Sequence, residues 1–107
     1  MLKMAAQGWW DELKTNGVGP SNTLTEELWD RPNKQIGHYT QMAWETSYKL
    51  GCGVVNCASM TLVVCQYGPA GNYFNEPIYT IGDPCTSNAG CPSGNTCSVS
   101  EGLCVVP

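Results

Sequence analysis

The chain has 107 residues, enough for one domain of ordinary size with a small appendage. Five Lys and Arg stand against nine Asp and Glu, for a formal net charge of −4, and the basic residues are scattered along the chain. Without a basic stripe to neutralise phosphates, nucleic acid is not an expected partner. No apolar run approaches the roughly 20 residues of a membrane span, so none is predicted.

The N-terminal third predicts one long helix, a loop and a short turn. Apolar residues at helical spacing form a single stripe that predicts a helix from Leu2 to Leu13. A turn-rich loop follows over residues 15–22. Thr23 lies three residues before Glu26, which is a capping-box spacing, and predicts a short helical turn that ends by Pro32.

The middle of the chain predicts a helix followed by a β-hairpin. Helical spacing continues from Gly37 to Tyr48, and β-branched residues then favour strands over 51–56 and 60–67. A turn centred between residues 58 and 59 places position i opposite position 117 − i. Cys52 then lies opposite Cys65, close enough for a disulfide, while Cys57 falls in the turn without a partner in the hairpin.

Seven cysteines, none of them before Cys52, indicate an oxidising compartment and therefore a secreted protein. A zinc site is not favoured because no two cysteines are separated by only two residues and His38 is the single histidine. An odd number of cysteines leaves one thiol unpaired. The first ten residues lack a secretory signal pattern, so we expect the export signal to lie in a segment upstream of this sequence.

The last 25 residues are punctuated by Gly, Ser, Asn and Pro, and their four cysteines are separated by five, five and six residues. Such a segment cannot bury a core and depends on its bridges. We treat residues 83–107 as a small cysteine-rich appendage. Spacing alone does not choose among the three possible connectivities.

Two long motifs carry a resemblance to a known family. They are Gly-His-Tyr-Thr-Gln-Met-Ala-Trp at 37–44 and Leu-Val-Val-Cys-Gln-Tyr-Gly-Pro-Ala-Gly-Asn-Tyr at 62–73. Together with Trp-Trp-Asp-Glu at 9–12 and the Cys-containing segment 51–57, they resemble the CAP superfamily of cysteine-rich secretory proteins over residues 1 to about 80. The tail resembles the hinge of nematode proteins of the Ancylostoma-secreted-protein type.

The resemblance implies an α+β fold, part of an α-β-α sandwich. Residues 1–82 would form the C-terminal half of a CAP domain, and 83–107 the hinge. The family's cleft holds two histidines and two glutamates, of which His38 and Glu12 match here. The motifs that carry the other two, normally upstream, do not occur in the chain.

The same resemblance implies disulfide partners and a metal. In related proteins the hairpin bridge matches Cys52 to Cys65, in agreement with the register argument. Analogy pairs Cys85 with Cys97 and Cys91 with Cys104, and matches Cys57 to a cysteine bonded to the upstream half. No cofactor is required, although an intact tetrad suits a divalent cation such as zinc, which half a tetrad would bind weakly.

For function, the resemblance implies a secreted, non-enzymatic protein of host–parasite interaction that binds a host protein or a lipid such as a sterol. Tyr39, Gln41 and Trp10 are the expected neighbours in the cleft. One alternative is a metal-dependent hydrolase that uses His38 and Glu12 in acid–base roles. Another is a disulfide-stapled scaffold without a small ligand. A half sandwich exposes its inner face, which favours self-association.

Overall fold

A computed structural model describes residues 1–107 as a mixture of helices and antiparallel strands, which confirms the predicted α+β class. The helices are α1 (Leu2–Trp10), α2 (Glu12–Asn16), α3 (Glu26–Trp29) and α4 (Gly37–Ala43), with a 3₁₀ turn at Asn88–Gly90. The strands are β1 (Thr23–Leu24), β2 (Lys49–Asn56), β3 (Thr61–Gly68), β4 (Glu76–Pro77), β5 (Thr96–Ser98) and β6 (Leu103–Val105). They form three separate pairs: β1 with β4, β2 with β3 and β5 with β6. None of the helices has the length and apolar character needed to cross a membrane.

The predicted N-terminal helix is divided at Asp11 and extends further than expected. Asp11 has ψ of −9°, whereas ψ in a regular α-helix is about −42°. Its amide nevertheless donates to the Gln7 carbonyl at 2.9 Å. The side chain of Gln7 also donates to the Asp11 carboxylate. The helical path resumes as α2 and ends at Gly17, whose φ of 73° favours glycine.

The cap of α3 is Thr25, so the predicted capping box at Thr23 is wrong. The Thr25 hydroxyl accepts a hydrogen bond from the Leu28 amide at 3.1 Å, the usual N-cap contact. Thr23 instead pairs with Pro77 in the β1–β4 ladder. The cap is therefore two residues later than the sequence pattern indicated.

Helix α4 ends at Ala43, five residues before the predicted end at Tyr48. Trp44 takes an extended conformation and is only 5% exposed. The next amide, of Glu45, donates to the Ile78 carbonyl at 2.9 Å instead of continuing the helix. Burial of the tryptophan and this long-range hydrogen bond redirect the chain.

The β2–β3 hairpin has the predicted register. Cys52 lies opposite Cys65, and every pair follows 117 − i from Lys49 with Gly68 to Asn56 with Thr61. A disulfide joins Cys52 to Cys65, and Cys57 is exposed in the turn as a free thiol.

The tail forms a small disulfide-linked hairpin, although its sequence carries no strand pattern. Disulfides join Cys85 to Cys97 and Cys91 to Cys104, the pairs expected by analogy. The sulfur atoms of Cys85, Cys91 and Cys97 lie within 4.8 Å of one another. They are all in disulfides and are therefore not thiolate ligands for a metal.

The core is small. Only 8 of 107 residues are buried, and five of them form one cluster: Leu24, Ile36, Tyr39, Trp44 and Ile78. The β1–β4 pair brings the first and last of these together, assisted by Asn22, whose amide nitrogen donates to the Tyr79 carbonyl at 2.7 Å. On the hairpin, by contrast, Val55, Leu62 and Val64 are exposed.

We predict that Gly71→Ala destabilises the fold by about 1–3 kcal/mol, the usual range for overpacking. A Cβ at Gly71 would lie 2.6 Å from Cγ of the buried Trp44 and 2.8 Å from Nε2 of Gln41. Gly53→Ala is the matched control, because nothing lies within 4 Å of its Cβ. Urea denaturation measures both variants, and equal midpoints would contradict the packing argument.

We also predict one reactive thiol per chain. Cys57 is exposed and the other six cysteines are paired. Titration with an aromatic disulfide reagent under native conditions should release one equivalent of the aromatic thiolate per chain. The Cys57→Ser variant should release none. A native count of zero or three would refute the pairing.

Candidate functional site

The centre of the candidate site is a hydrogen-bonded glutamate–histidine pair between two helices. Glu12 is the first residue of α2 and His38 the second of α4, and Glu12 Oε2 lies 2.8 Å from His38 Nδ1. A carboxylate can only accept, so Nδ1 carries the proton in this pair. The other ring nitrogen, Nε2, is left free to meet a ligand. The imidazole is 44% exposed, whereas the glutamate side chain is only 12% exposed.

Glu12 also caps helix α4 from outside that helix. Its Oε1 accepts a hydrogen bond from the Tyr39 amide at 2.9 Å. Tyr39 is the third residue of α4, where the amide has no acceptor within the helix, and the N-cap residue Ile36 has no side chain that can serve. One carboxylate therefore orients the histidine and completes the helix that carries it.

An aromatic ring restrains the other side of the histidine. The Trp9 indole stacks on the His38 imidazole with 5.3 Å between ring centroids and 13° between planes. The side-chain nitrogen of Gln35 lies 3.3 Å from Nδ1, but both groups are N–H donors when Nδ1 donates to Glu12, so they form no hydrogen bond. His38 is thus held in one orientation by an indole and a carboxylate.

These residues line an open groove of about 1100 Å³ between the helices, the loop before α4 and one face of β3. Seven of its 20 lining residues are hydrophobic, so the wall mixes polar and apolar surface. Its aromatic surface comes from Trp9, Trp29 and Tyr67.

Only one of the three expected cleft neighbours lines the groove. Gln41 does, whereas Tyr39 is 3% exposed and belongs to the core. Trp10 lies outside the groove and packs edge-on against Tyr39, with 5.0 Å between ring centroids. The physical reason is helical geometry: residues adjacent to His38 and to Trp9 project away from the face that those two share.

The Gln41 amide is occupied by structural hydrogen bonds. Its Oε1 accepts from the Gly71 amide at 3.1 Å, and its Nε2 donates to Ser47 Oγ at 2.9 Å. Ser47 in turn donates to the Pro69 carbonyl at 2.7 Å. Gln41 therefore ties α4 to the segment after β3, and Ser47 is not poised as a nucleophile.

A second tie fixes the start of α4. Thr40 Oγ1 donates to Asn72 Oδ1 at 2.7 Å, and Asn72 Nδ2 donates to the Gly37 carbonyl at 3.0 Å. Asn72 has φ of 61°, a conformation that asparagine tolerates better than most residues. These contacts give Asn72 a structural role.

Burial shifts two tyrosines near the site. It raises the pKa of Tyr39 above its usual value of 10.0, and the neighbouring Tyr79 adds to the shift. Burial likewise raises the pKa of Tyr67. Both phenols are therefore neutral throughout the physiological pH range.

The donors of this chain do not complete a zinc site. Both Glu12 oxygens are engaged, one by His38 and one by the Tyr39 amide. His38 Nε2 is then the single free donor of the pair, whereas zinc sites in proteins use three or four protein ligands. In this geometry Glu12 orients His38, and the expectation that both residues bind metal stays a prediction.

Fold and sequence together place the chain in a family. The cysteine-rich secretory protein (CAP) family model matches residues 1–67, and the chain belongs to this family. It is 63% identical to the Ancylostoma secreted protein of Ancylostoma caninum over 105 residues, which are 98% of this chain and 24% of that protein. The predicted resemblance to nematode secreted proteins is confirmed.

Solved structures show the same relationship. The crystal structure of Na-ASP-1 superposes with a TM-score of 0.86 at 65% identity, covering 95% of this chain and 25% of that one. The structure titled NaASP2 with Zn²⁺ gives a TM-score of 0.81 at 44% identity, covering 95% and 49%. The chain thus spans between a quarter and a half of the length of these relatives.

Sequence reasoning left two site residues unassigned. Gln35 lies outside the family motifs and carried no signal. Trp9 lies within the Trp-Trp-Asp-Glu motif, and its spacing in the α1 stripe places it one helical turn before Glu12, on the side that meets His38. That spacing was the signal that could have assigned it to the site.

We predict that Glu12→Ala destabilises the fold by about 1–3 kcal/mol, because the Tyr39 amide is left without an acceptor. Glu12→Gln should cost less, since its amide oxygen can still accept that hydrogen bond. Thermal unfolding followed by circular dichroism measures both. Equal losses for the two variants would show that the carboxylate does not cap α4.

Proposed function

We propose that the chain acts as a secreted, non-enzymatic binding module whose groove meets a host protein or a lipid such as a sterol. The observation that carries this proposal is the fixed His38 side chain in an open groove of mixed polar and apolar lining, without a nucleophile beside it. The hydrogen bond of its imidazole runs to Glu12, which offers neither a hydroxyl nor a thiol. A rigid aromatic and imidazole surface suits recognition.

Extracellular location is supported by the family and by the bridges. The relative from Ancylostoma caninum is named a secreted protein, and three disulfides in 107 residues suit an oxidising compartment. We also propose residues 1–82 and 83–107 as two units, because both tail disulfides join tail cysteines only. Activities and partners of the longer relatives remain proposals for this chain.

The lining of the groove favours a protein partner over a lipid. Lipid pockets enclose their ligand in apolar surface, whereas this groove is open and its lining mixes polar and apolar residues. A polar rim around an aromatic centre is typical of protein interfaces. The exposed apolar residues of the hairpin supply a second surface, which supports the expectation of self-association.

The binding proposal is tested by native mass spectrometry with cholesterol and palmitate. We expect no 1:1 adduct that depends on the groove. An adduct that Trp9→Ala abolishes and Val55→Ala retains would make the ligand a lipid, because Trp9 lines the groove and Val55 lies on the hairpin outside it. An adduct lost in neither variant would place the lipid outside the groove.

A metal-dependent hydrolase is the second candidate, favoured by one observation. A carboxylate that orients a histidine recurs in acid–base catalysis. A broad peptidase screen, with and without added zinc, decides between the two. Turnover that His38→Ala abolishes and Lys34→Ala leaves intact would contradict the non-enzymatic proposal.

A further inference from the structure

The helix that carries Glu12 is not held in place by a buried apolar face. None of the five residues of α2 is buried. The start of α2 is positioned by α1, whose Trp9 and Trp10 pack against His38 and Tyr39 of α4. The end of α2 has no such packing, although the whole helix must hold Glu12 within hydrogen-bond distance of His38 and the Tyr39 amide. Polar contacts restrain that end.

Arg31 provides that restraint with three hydrogen bonds. Its Nη1 donates to the Asn16 carbonyl at 3.1 Å and its Nη2 to the Gly17 carbonyl at 2.7 Å, so the guanidinium fork grips two consecutive carbonyls at the end of α2. Its Nε donates to the Leu28 carbonyl at 3.2 Å, which anchors the same group to α3. A lysine ammonium has no planar fork of this kind.

A weaker tie runs parallel to the first. The Asn16 side-chain nitrogen donates to the Gln35 carbonyl at 2.6 Å, one residue before the cap of α4. The end of α2 is thus fastened both to α3 and to the segment that leads into α4. With that end fixed, the first residue of α2 faces the first turn of α4.

We propose that Arg31 is the positioning residue of the Glu12–His38 pair, acting through α2 and not by contact with the pair. Arg31 forms no ion pair; the one salt bridge in the chain is the Glu12–His38 pair itself. Its guanidinium therefore acts as a hydrogen-bond donor to backbone carbonyls. This role of Arg31 rests on the same groove as the proposed function. Because its test uses no ligand, the positioning role and the binding function can be disproved independently.

The tautomer of His38 reports on the pair directly. The hydrogen bond to Glu12 favours the neutral tautomer of His38 that carries its proton on Nδ1. If α2 shifts and this hydrogen bond is lost, the preference for that tautomer is lost as well. Because the chain has a single histidine, nitrogen–proton correlation spectra need no assignment. In Arg31→Lys we expect the ratio of Nδ1–H to Nε2–H to fall by about tenfold, the loss of about one charge-assisted hydrogen bond.

Two controls frame the result. Glu12→Ala sets the ratio of an unrestrained histidine, and Lys34→Ala removes another cation of the groove that forms no salt bridge; it should leave the ratio unchanged. A folded Arg31→Lys with the ratio of the natural chain would overturn the proposal. If Arg31→Lys does not fold, Asn16→Ala, which cuts the parallel tie, should lower the ratio; an unchanged ratio there would also overturn it.

Discussion

The structure depends on one carboxylate that serves two helices. One oxygen of Glu12 accepts a hydrogen bond from His38 Nδ1, and the other accepts one from the Tyr39 amide. Helix α4 has seven residues and no capping side chain of its own, so this bond between elements replaces a local cap. The orientation of the histidine and the start of its helix consequently have the same origin.

Around this contact the domain is held mainly by polar ties and bridges, because its buried cluster has only five residues. The amides of Gln41 and Asn72 fasten α4 to the segment after β3. One disulfide joins β2 to β3, and two others tie β5 and β6 to the segment that precedes them. Small domains with little buried surface commonly rely on such devices.

The sequence predicted those parts of the fold that follow from local periodicity. The hairpin register was predictable because one turn position fixes every pair, and the cysteines at 52 and 65 had to agree with it. The ends of helices were harder to predict. Helix α4 stops where Trp44 enters the core, a tertiary effect that helical spacing cannot reveal. The β1–β4 pair joins residues more than 50 positions apart and has no sequence signal.

The site was predictable in its members more than in their roles. Family motifs named Glu12 and His38, but only the hydrogen-bond pattern shows that the carboxylate is an orienting group. Amide hydrogen exchange at Tyr39 tests this account most directly, since an amide at the third position of a helix has no acceptor within it. The Tyr39 amide should exchange slowly in the natural chain and fast in Glu12→Ala. Fast exchange at Tyr39 in the natural chain would contradict it.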